Sequence, residues 1–532
     1  MESPERMCRL RVDHRSNAFQ AIARSLAAAN ITRTGDDLHL VGQVLLALGI
    51  TGEMTGQMGD TTRRLSTAFL ALALLIAALP GTSWTAPIDP ALGAGDYALI
   101  QVAHGTADAV AAKATAAGAT NVAALDKLDI VTARVSADAL RSLRSDWRVS
   151  YLATDAVVSA AGGFSADVKP SAGVAAIDAP QAWGSSTGRG ITVALMDTGV
   201  AAHPDLAGSV LARVDFVGDG ALQLDPAGHG TFVAGLIAAH GSSFKGVAPD
   251  AKLVSLRVLD ANGNGSLHAV LAAFDWLLQN RLAYRIKVLN LSFGARQVSS
   301  YQQDLLAGVV ESAWFAGVTV VAAAGNRGPL PGTVATPGAD PFILTTGSLD
   351  DQGTSGMGDD RESVFSGRGP TRDGFMKPDV LAPGEHVVSL RASDDPTEAA
   401  YTRMSGTSVS SAMAAGVAAL VLQLRAWYTP TQVKGAIVAG SRKVWGSKAP
   451  GVAANDALWA TPAPVNAGLV PSSLLLRLLA ASGLDVGSGG MSWEGISWEG
   501  ISWEGLSWEA ISWEGISWSS LSWERVSKGE VR

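Results

Sequence analysis

Five apolar segments within residues 175–460 constrain the fold more strongly than any other feature of the sequence. In chain order they are ITVALMD, AKLVSLRVL, KVLNLSF, GVTVVAAAG and FILTTGS, with helical stretches between them. Near-continuous apolar runs of this length are typical of strands that are buried on both faces of a parallel sheet. The sequence therefore predicts an α/β domain over 175–460, with a mainly parallel sheet flanked by helices.

Residues 95–160 show a similar alternation on a smaller scale. DYALIQVA, LDIVTARV and VSYLATDAVV have strand patterns, whereas ADAVAAKATAAGA and SADALRSLRSD have helical composition, the second opened by a serine cap. We therefore expect a small α+β domain before the large one. The Ala-, Gly- and Ser-rich stretch AAGGFSADVKPSAG that follows predicts an exposed linker.

Residues 58–86 have the order of a secretory signal peptide: two arginines, an apolar run over 68–79, and then small residues. The run is shorter than the roughly 20 residues that cross a membrane. A buried core helix is the alternative, but the flanking arginines and prolines favour a signal peptide. Residues 1–57 form a doubtful leader, and we expect translation to start at Met54 or Met58. The product would then lack Cys8, the one cysteine of the chain.

The last 42 residues, 491–532, repeat a five-residue unit of the type SWEGI and hold seven of the 15 tryptophans. Residues 461–490 before them predict a linker with one short apolar helix at 471–482. A five-residue period gives no stable apolar face in either a strand or a helix. Two interpretations stay open for the repeat: a short-period β-solenoid or added strand, and a disordered low-complexity segment.

Charge and cysteine content exclude several functional classes. The net charge of -8 disfavours nucleic acid as a partner. One cysteine cannot form a disulfide framework or a multi-cysteine zinc or redox site. The absence of a G-x-S-x-G motif argues against an α/β-hydrolase esterase.

Three motifs in the large domain carry residues suited to nucleophilic catalysis. Asp197 ends the apolar strand VALMD, His229 lies between glycines in GHGTFVAG, and Ser408 opens a helix in GTSVS. A serine hydroxyl needs an imidazole to take its proton, and the imidazole needs a carboxylate to fix its tautomer. Asp, His and Ser in this chain order on an α/β fold match one known order of the hydrolytic triad. Asn326, just after a strand in AAAGN, is the candidate side-chain donor of an oxyanion hole.

These blocks resemble the signature motifs of the subtilisin-like serine proteases from Ile191 to about Gly416. The resemblance implies that Asp197, His229 and Ser408 form the triad and that Asn326 is the oxyanion donor. It also implies that Ser292, Phe293 and Gly294 pair with an extended substrate backbone. Residues 95–160 likewise resemble the inhibitory propeptide of the family, which assists folding and is then cut away.

The sequence departs from the family pattern at several places. Phe232 replaces a second histidine, and Ala412 and Met413 replace a Pro-His pair, but none of these is a triad position. The loop HGSSFK at 240–245 is short for the calcium loop of many members. The sequence therefore predicts no metal and no cofactor, because calcium is suggested only by the resemblance and by no motif. His203 is the nearest alternative to His229.

Together, these features predict a secreted serine endopeptidase, extracellular or associated with the cell envelope, that hydrolyses peptide bonds through an acyl-enzyme. It would be made as a zymogen that processes itself in the linker. Its partners would be protein or peptide substrates and its own propeptide as inhibitor, with no nucleic acid. The alternative, from another class, is a protein of cell-envelope binding or display that acts through its Trp-rich tail.

Overall fold

The computed structural model describes residues 85–160, 162–164, 171–221, 224–297, 299–392, 400–473 and 475. The predicted leader with Cys8, nearly all of the predicted signal peptide and the repeat tail lie outside these residues, as does most of the short apolar helix predicted at 471–482. These predictions therefore stay predictions.

The smaller domain is a four-stranded antiparallel sheet with two helices, in the strand order β2-β3-β1-β4. Ser136 caps the second helix as predicted, because its side chain accepts a hydrogen bond from the N–H of Ala139 at 3.0 Å. The elements are β1 (Tyr97–Val102), α1 (Ala107–Ala116), β2 (Thr120–Leu125), β3 (Ile130–Arg134), α2 (Ala137–Arg144) and β4 (Val149–Thr154).

Two features of this domain differ from the sequence-based expectation. Strand β2 was not predicted, because only Leu125 in it is buried and its sequence has no apolar alternation. The segment VSYLATDAVV forms two strands instead of one: β4, and β5 (Val157–Ala160) on the edge of the large domain. The break lies at Asp155, which accepts hydrogen bonds from the backbone N–H and the ring of His268.

The large domain is built on an eight-stranded sheet in the order β16-β15-β13-β11-β7-β9-β8, with β17 beside β15. All neighbours in it are parallel except β16. Its strands are β7 (Thr192–Asp197), β8 (Val210–Asp215), β9 (Lys252–Arg257), β11 (Ile286–Leu291), β13 (Thr319–Ala323), β15 (Leu344–Asp350), β16 (Arg361–Glu362) and β17 (Val380–Pro383).

Shorter strands and seven helices complete the described part of this domain. The strands are β6 (Gly162–Phe164), β10 (Asn264–Ser266), β12 (Phe293–Arg296), β14 (Ala335–Thr336), β18 (Val387–Leu390) and β19 (Tyr401–Gly406). The helices are α3 (Ala179–Ala182), α4 (His229–Ala238), α5 (Leu267–Asn280), α6 (Leu305–Phe315), α7 (Thr407–Leu424), α8 (Pro430–Gly440) and α9 (Ala454–Trp459).

Helices cover both faces of the large sheet. In β7, Val193 and Leu195 join the apolar cluster of α4, α7, α8 and α9, while Ala194 and Met196 join the cluster of α5 and α6. A strand that is apolar on both faces is what the continuous runs predicted, since successive side chains point to opposite faces. The predicted fold class, a mainly parallel sheet flanked by helices, is confirmed.

Helix α7 lies in the middle of the apolar core and consists mainly of small residues. A Cβ on Gly416 would lie 2.5 Å from the Cβ of Val247, so the helix packs too closely there for any side chain. Among the described residues, α7 is also the one helix long and apolar enough to cross a membrane, and 89% of it is buried inside the protein.

Candidate active site

Asp197 is the last residue of β7 and lies, buried, at the carboxyl edge of the large sheet. Strands β9 and β11 pair with β7 on either side, so the sheet itself fixes this carboxylate. Its Oδ1 accepts a hydrogen bond from the N–H of Thr198 at 2.7 Å. The same oxygen lies 2.7 Å from Nδ1 of His229.

His229 is the first residue of α4, and glycines on both sides allow it to approach Asp197. Gly228 before it has φ of +74°, a left-handed conformation that glycine adopts without strain. A Cβ on Gly230 would lie 2.0 Å from the carbonyl oxygen of Gly199. The loop after Asp197 therefore packs directly against the first turn of α4, which brings the imidazole to the carboxylate.

Ser408 is the second residue of α7, and its Oγ lies 3.0 Å from Nε2 of His229. A carboxylate can only accept hydrogen bonds, so Nδ1 of the ring carries the hydrogen that Asp197 accepts. In the neutral ring, Nε2 is then the acceptor for the O–H of Ser408. The three residues singled out in the sequence thus form one hydrogen-bonded row.

All three side chains of this row are buried. Burial lowers the pKa of the His229 imidazole, but the charge of Asp197 and the hydrogen bond to it raise that pKa. The balance lies above the ordinary value of a histidine. The site can therefore take a proton from Ser408 and hold the resulting positive charge beside Asp197.

Asn326 follows β13 after two small residues and lies next to the start of α7. Its Oδ1 accepts hydrogen bonds from the backbone N–H of Thr407 at 3.0 Å and from the Thr407 hydroxyl at 2.9 Å. These two bonds fix the rotation of the amide group. The predicted oxyanion donor is therefore held one residue away from Ser408.

The segment Ser292–Gly294 contacts the core through its side chains and β5 through its backbone. The Ser292 side chain is buried and donates to the carbonyl oxygen of Ser408 at 3.2 Å, so it supports the first turn of α7. The Phe293 side chain belongs to the core cluster of α5 and α6. The backbone of Phe293 and Gly294 pairs antiparallel with Ala160 and Ser159 of β5.

The chain itself runs along the site from the small domain. Strand β5 pairs antiparallel with β10 on one side and β12 on the other, in the sheet order β10-β5-β12-β14. Just beyond it, Gly162 of β6 pairs with Gly406, two residues before Ser408. The sequence predicted an exposed linker here, but residues 162–164 form the strand β6 because they pair with β19.

The nearest alternative to His229 in the sequence, His203, lies apart from this row, as does a further histidine, His268. His203 Nε2 is 3.1 Å from the carbonyl oxygen of Ala400, and its ring faces Tyr401. His268 stacks on Tyr97 with ring centroids 4.2 Å apart. Within the residues that the structure describes, no group of three or more His, Cys, Asp or Glu side chains has an arrangement that could hold a metal ion.

Sequence reasoning missed one residue at the site. Asp225 lies buried next to the first turn of α4 and accepts hydrogen bonds from the side chains of Thr198 and Thr231. The one signal for Asp225 is its place four residues before His229 in the block DPAGHG. Its residue type alone does not distinguish it from other aspartates in loops.

Comparison with known proteins agrees with this fold. Residues 188–456 match the model of the Subtilase family. The chain is 38% identical over 284 residues to serine protease AprX of Bacillus subtilis (strain 168), an alignment that covers 50% of this chain and 64% of AprX. It is 33% identical over 283 residues to subtilisin Savinase of Lederbergia lenta, covering 52% of this chain and 94% of Savinase.

A solved structure, that of fervidolysin from Fervidobacterium pennivorans, described as a keratinolytic enzyme related to subtilisin, also superposes on this chain. The TM-score is 0.59 at 22% identity, over 73% of this chain and 64% of fervidolysin. At that identity the likeness shows the fold alone. Taken with the family match, it leads to a plain conclusion: the chain belongs to the subtilase family, the subtilisin-like serine proteases, as the sequence motifs predicted.

Proposed function

We propose that this protein is a serine endopeptidase that hydrolyses peptide bonds through Ser408, His229 and Asp197. The observation that carries the proposal is the hydrogen-bonded row, with 3.0 Å from Ser408 Oγ to His229 Nε2 and 2.7 Å from His229 Nδ1 to Asp197 Oδ1. Such a row is the arrangement that turns a weak hydroxyl nucleophile into a strong one.

In this reaction Ser408 Oγ attacks the carbonyl carbon of the peptide bond and passes its proton to His229 Nε2. Asp197 stabilises the positive ring that results. The developing oxyanion would accept hydrogen bonds from the side-chain NH₂ of Asn326 and from the N–H of Ser408. The first-turn N–H groups of a helix have no partner within that helix, and its dipole favours negative charge there.

The tetrahedral intermediate collapses when the C–N bond breaks and His229 Nε2 gives its proton to the leaving amine. The acyl group stays on Ser408 as an ester. A water molecule then attacks the ester while His229 takes one of its protons. The acid product leaves, and the proton returns to Ser408.

Residues 95–160 would act as the inhibitory propeptide. The contacts that support this role link it to α5: the N–H of Lys127 donates to Asp275 Oδ1 at 3.0 Å, and Leu267 donates to the carbonyl oxygen of Ala156 at 2.7 Å. Leu128 and Ile130 pack in the same apolar cluster as α5 and α6. Strand β5 then occupies the edge to which a substrate backbone would bind.

The register of β5 and β6 indicates where the zymogen would be cut. Ala160 lies opposite Phe293, and Gly162 lies opposite Gly406, close to Ser408. The bond to be cleaved would then be one of the two peptide bonds of Ala161. Ala160 and Gly162, the small residues on either side of Ala161, suit cleavage here, because small side chains allow the backbone to approach Ser408 closely.

Export from the cell is part of the proposal and depends on the signal-peptide pattern at 58–86. A host that expresses residues 58–532 should release the protein into its medium. Retention of the whole product inside the cells would contradict export.

The endopeptidase itself is tested by comparing the wild-type chain with Ser408→Ala. The wild type should degrade an unfolded protein such as reduced casein, and a fluorophosphonate probe should label Ser408 in it. Ser408→Ala should not be labelled by the probe, and its turnover should fall by about 10⁶-fold. Equal turnover by the two purified proteins would contradict the proposed nucleophile.

A further inference from the structure

Asp225 is a second buried carboxylate at the site, and both of its oxygens accept hydrogen bonds from neighbouring N–H and hydroxyl groups. Oδ1 accepts from the Thr198 hydroxyl at 2.7 Å and from the N–H of Gly228 at 2.9 Å. Oδ2 accepts from the N–H of Thr231 at 2.7 Å and from its hydroxyl at 2.6 Å. Two hydrogen bonds to each oxygen suit a charged carboxylate, since a protonated one would have to donate.

Both threonine hydroxyls that bind Asp225 also accept a hydrogen bond from a backbone N–H. Thr198 Oγ1 also accepts from the N–H of Gly230 at 2.9 Å, and Thr231 Oγ1 accepts from the N–H of Ala201 at 2.8 Å. Each hydroxyl can therefore donate its hydrogen to Asp225 while it accepts from a backbone N–H, and for Thr198 Oγ1 the contact to Asp225 is shorter than the 3.3 Å contact to Asp197 Oδ1. Burial raises the pKa of Asp225 above its ordinary value, and the bonds from Thr198 and Thr231 offset only part of that rise.

These bonds join the two segments that carry the catalytic pair. Thr198 directly follows Asp197, and Gly228 directly precedes His229. Asp225 binds both, so it fixes the loop after β7 against the first turn of α4. A displacement of this turn would change the distance from His229 to both Asp197 and Ser408.

The charges near His229 come from few groups. Helix α4 has no charged residue besides His229 itself, and α7 and β18, which pack on it, have none. The charged residues on the other neighbours have partners elsewhere. Lys252 donates to Gly208, Arg257 binds Asp215 and Asp219, and Asp205 accepts from Tyr401. Asp197 and Asp225 are the carboxylates whose charge raises the pKa of His229, against the lowering effect of burial.

We infer that Asp225 is a positioning residue for the proposed reaction, which holds His229 against Asp197 and adds a second negative charge that favours the positively charged ring. The inference rests on the proposed function for its kinetic effect, but its effect on His229 exists without any turnover. The two can therefore be tested separately.

The first test is the titration of His229 by NMR in the full chain, with Ser408→Ala present to prevent cleavage. Adding Asp225→Asn should move the midpoint of His229 to lower pH, because one negative charge is lost. Adding Asp250→Asn should leave it in place. Asp250 accepts a similar bond, from the Thr187 hydroxyl at 2.7 Å, and lies near the start of β7, away from the site. An unchanged midpoint in folded Asp225→Asn would overturn the inference.

The second test is kinetic. Asp225→Asn should lower kcat about 10–100-fold with little change in KM, since misplacement of a catalytic group has effects of this size. The acidic limb of the kcat/KM profile should move to lower pH, which a loss of folded protein alone would not cause. An inactive wild type would contradict the proposed function and leave the NMR result standing.

A third test, with two variants of Thr198, applies where Asp225→Asn does not fold. Thr198→Val removes the hydroxyl that joins Asp225 to Gly230, and Thr198→Ser keeps it. The valine variant should lose about tenfold in kcat relative to the serine variant. Equal kcat values for the two would overturn the positioning role.

Discussion

The large domain and the segment that follows the small sheet contribute to the site in different ways. In the large domain, Asp197 ends a strand that is apolar on both faces, and Ser408 is the second residue of the central helix of the core. Strands β5 and β6, which follow the small sheet in the chain, are bound at the same site mainly through backbone pairing. The proposed catalytic row is thus built into the core, whereas the segment across it is bound at strand edges, which suits its proposed role as a removable inhibitor.

Among substitutions that leave Asp197, His229 and Ser408 in place, the largest effect is expected from Asn326→Ala in the large domain. Loss of one oxyanion donor typically lowers kcat by about 10²–10³, and KM should hardly change. Processing of the chain should slow by a similar factor, since it uses the same site. Thr407→Val, which removes one of the two bonds that orient the Asn326 amide, should have a smaller effect.

A loss of less than about threefold in kcat for Asn326→Ala would contradict the proposed role of this residue. The comparison of the two sheets adds a further expectation. In chains that carry Ser408→Ala to prevent cleavage, hydrogen exchange in the small domain should be the same with and without Asn326→Ala.

The second prediction concerns Asp146, whose buried carboxylate pairs with Lys113 at 2.9 Å and Arg148 at 2.6 Å in the small domain. Burial alone would raise the pKa of Asp146, but the bonds from Arg148 and Lys113 outweigh it and hold that pKa well below its ordinary value. The pairs therefore stabilise the domain above the ordinary pKa of an aspartate. This stabilisation is lost as the pH falls through the lowered pKa.

Asp146→Asn should cost the small domain about 1.5–3 kcal/mol at neutral pH and very little in strong acid. Hydrogen exchange of the full Ser408→Ala chain measures this, with faster exchange expected in β1–β4 and none of the change in β7, β11 and β13. Equal acceleration in both domains would show that the two sheets do not unfold separately.

The smallest effect is expected from Ser136→Ala, which removes the cap of α2. Loss of a serine cap typically costs about 1 kcal/mol. Ser142→Ala, inside the same helix, is the matched control and should change exchange in the small domain much less. Similar effects of the two substitutions would argue against a capping role.

The sequence predicted the large sheet better than the small one for a physical reason. Strands buried on both faces leave continuous apolar runs, and the five predicted segments contain β7, β9, β11, β13 and β15. Strand β17 is also buried, but its four residues are too few to leave such a run. Strand β2 is mostly exposed and left no such signal. Strand β8 alternates between half-buried and exposed residues and was missed for the same reason.

The site divides in a similar way. Asp197, His229, Ser408 and Asn326 stand in local blocks whose residue types indicate chemistry. Asp225 acquires its environment from donors at 198, 228 and 231, which only the folded chain assembles. The pairing of β5 with β12 joins residues far apart in sequence, so it too could not be predicted from a local pattern.

The most direct test of the account is the N-terminal sequence and intact mass of the purified wild-type chain beside those of Ser408→Ala. The wild type should begin at Ala161 or Gly162, whereas Ser408→Ala should keep residues 95–160 attached. Cleavage at the same position in both proteins, or a wild-type N-terminus far from residue 161, would contradict a zymogen that cuts the segment lying across its own active site.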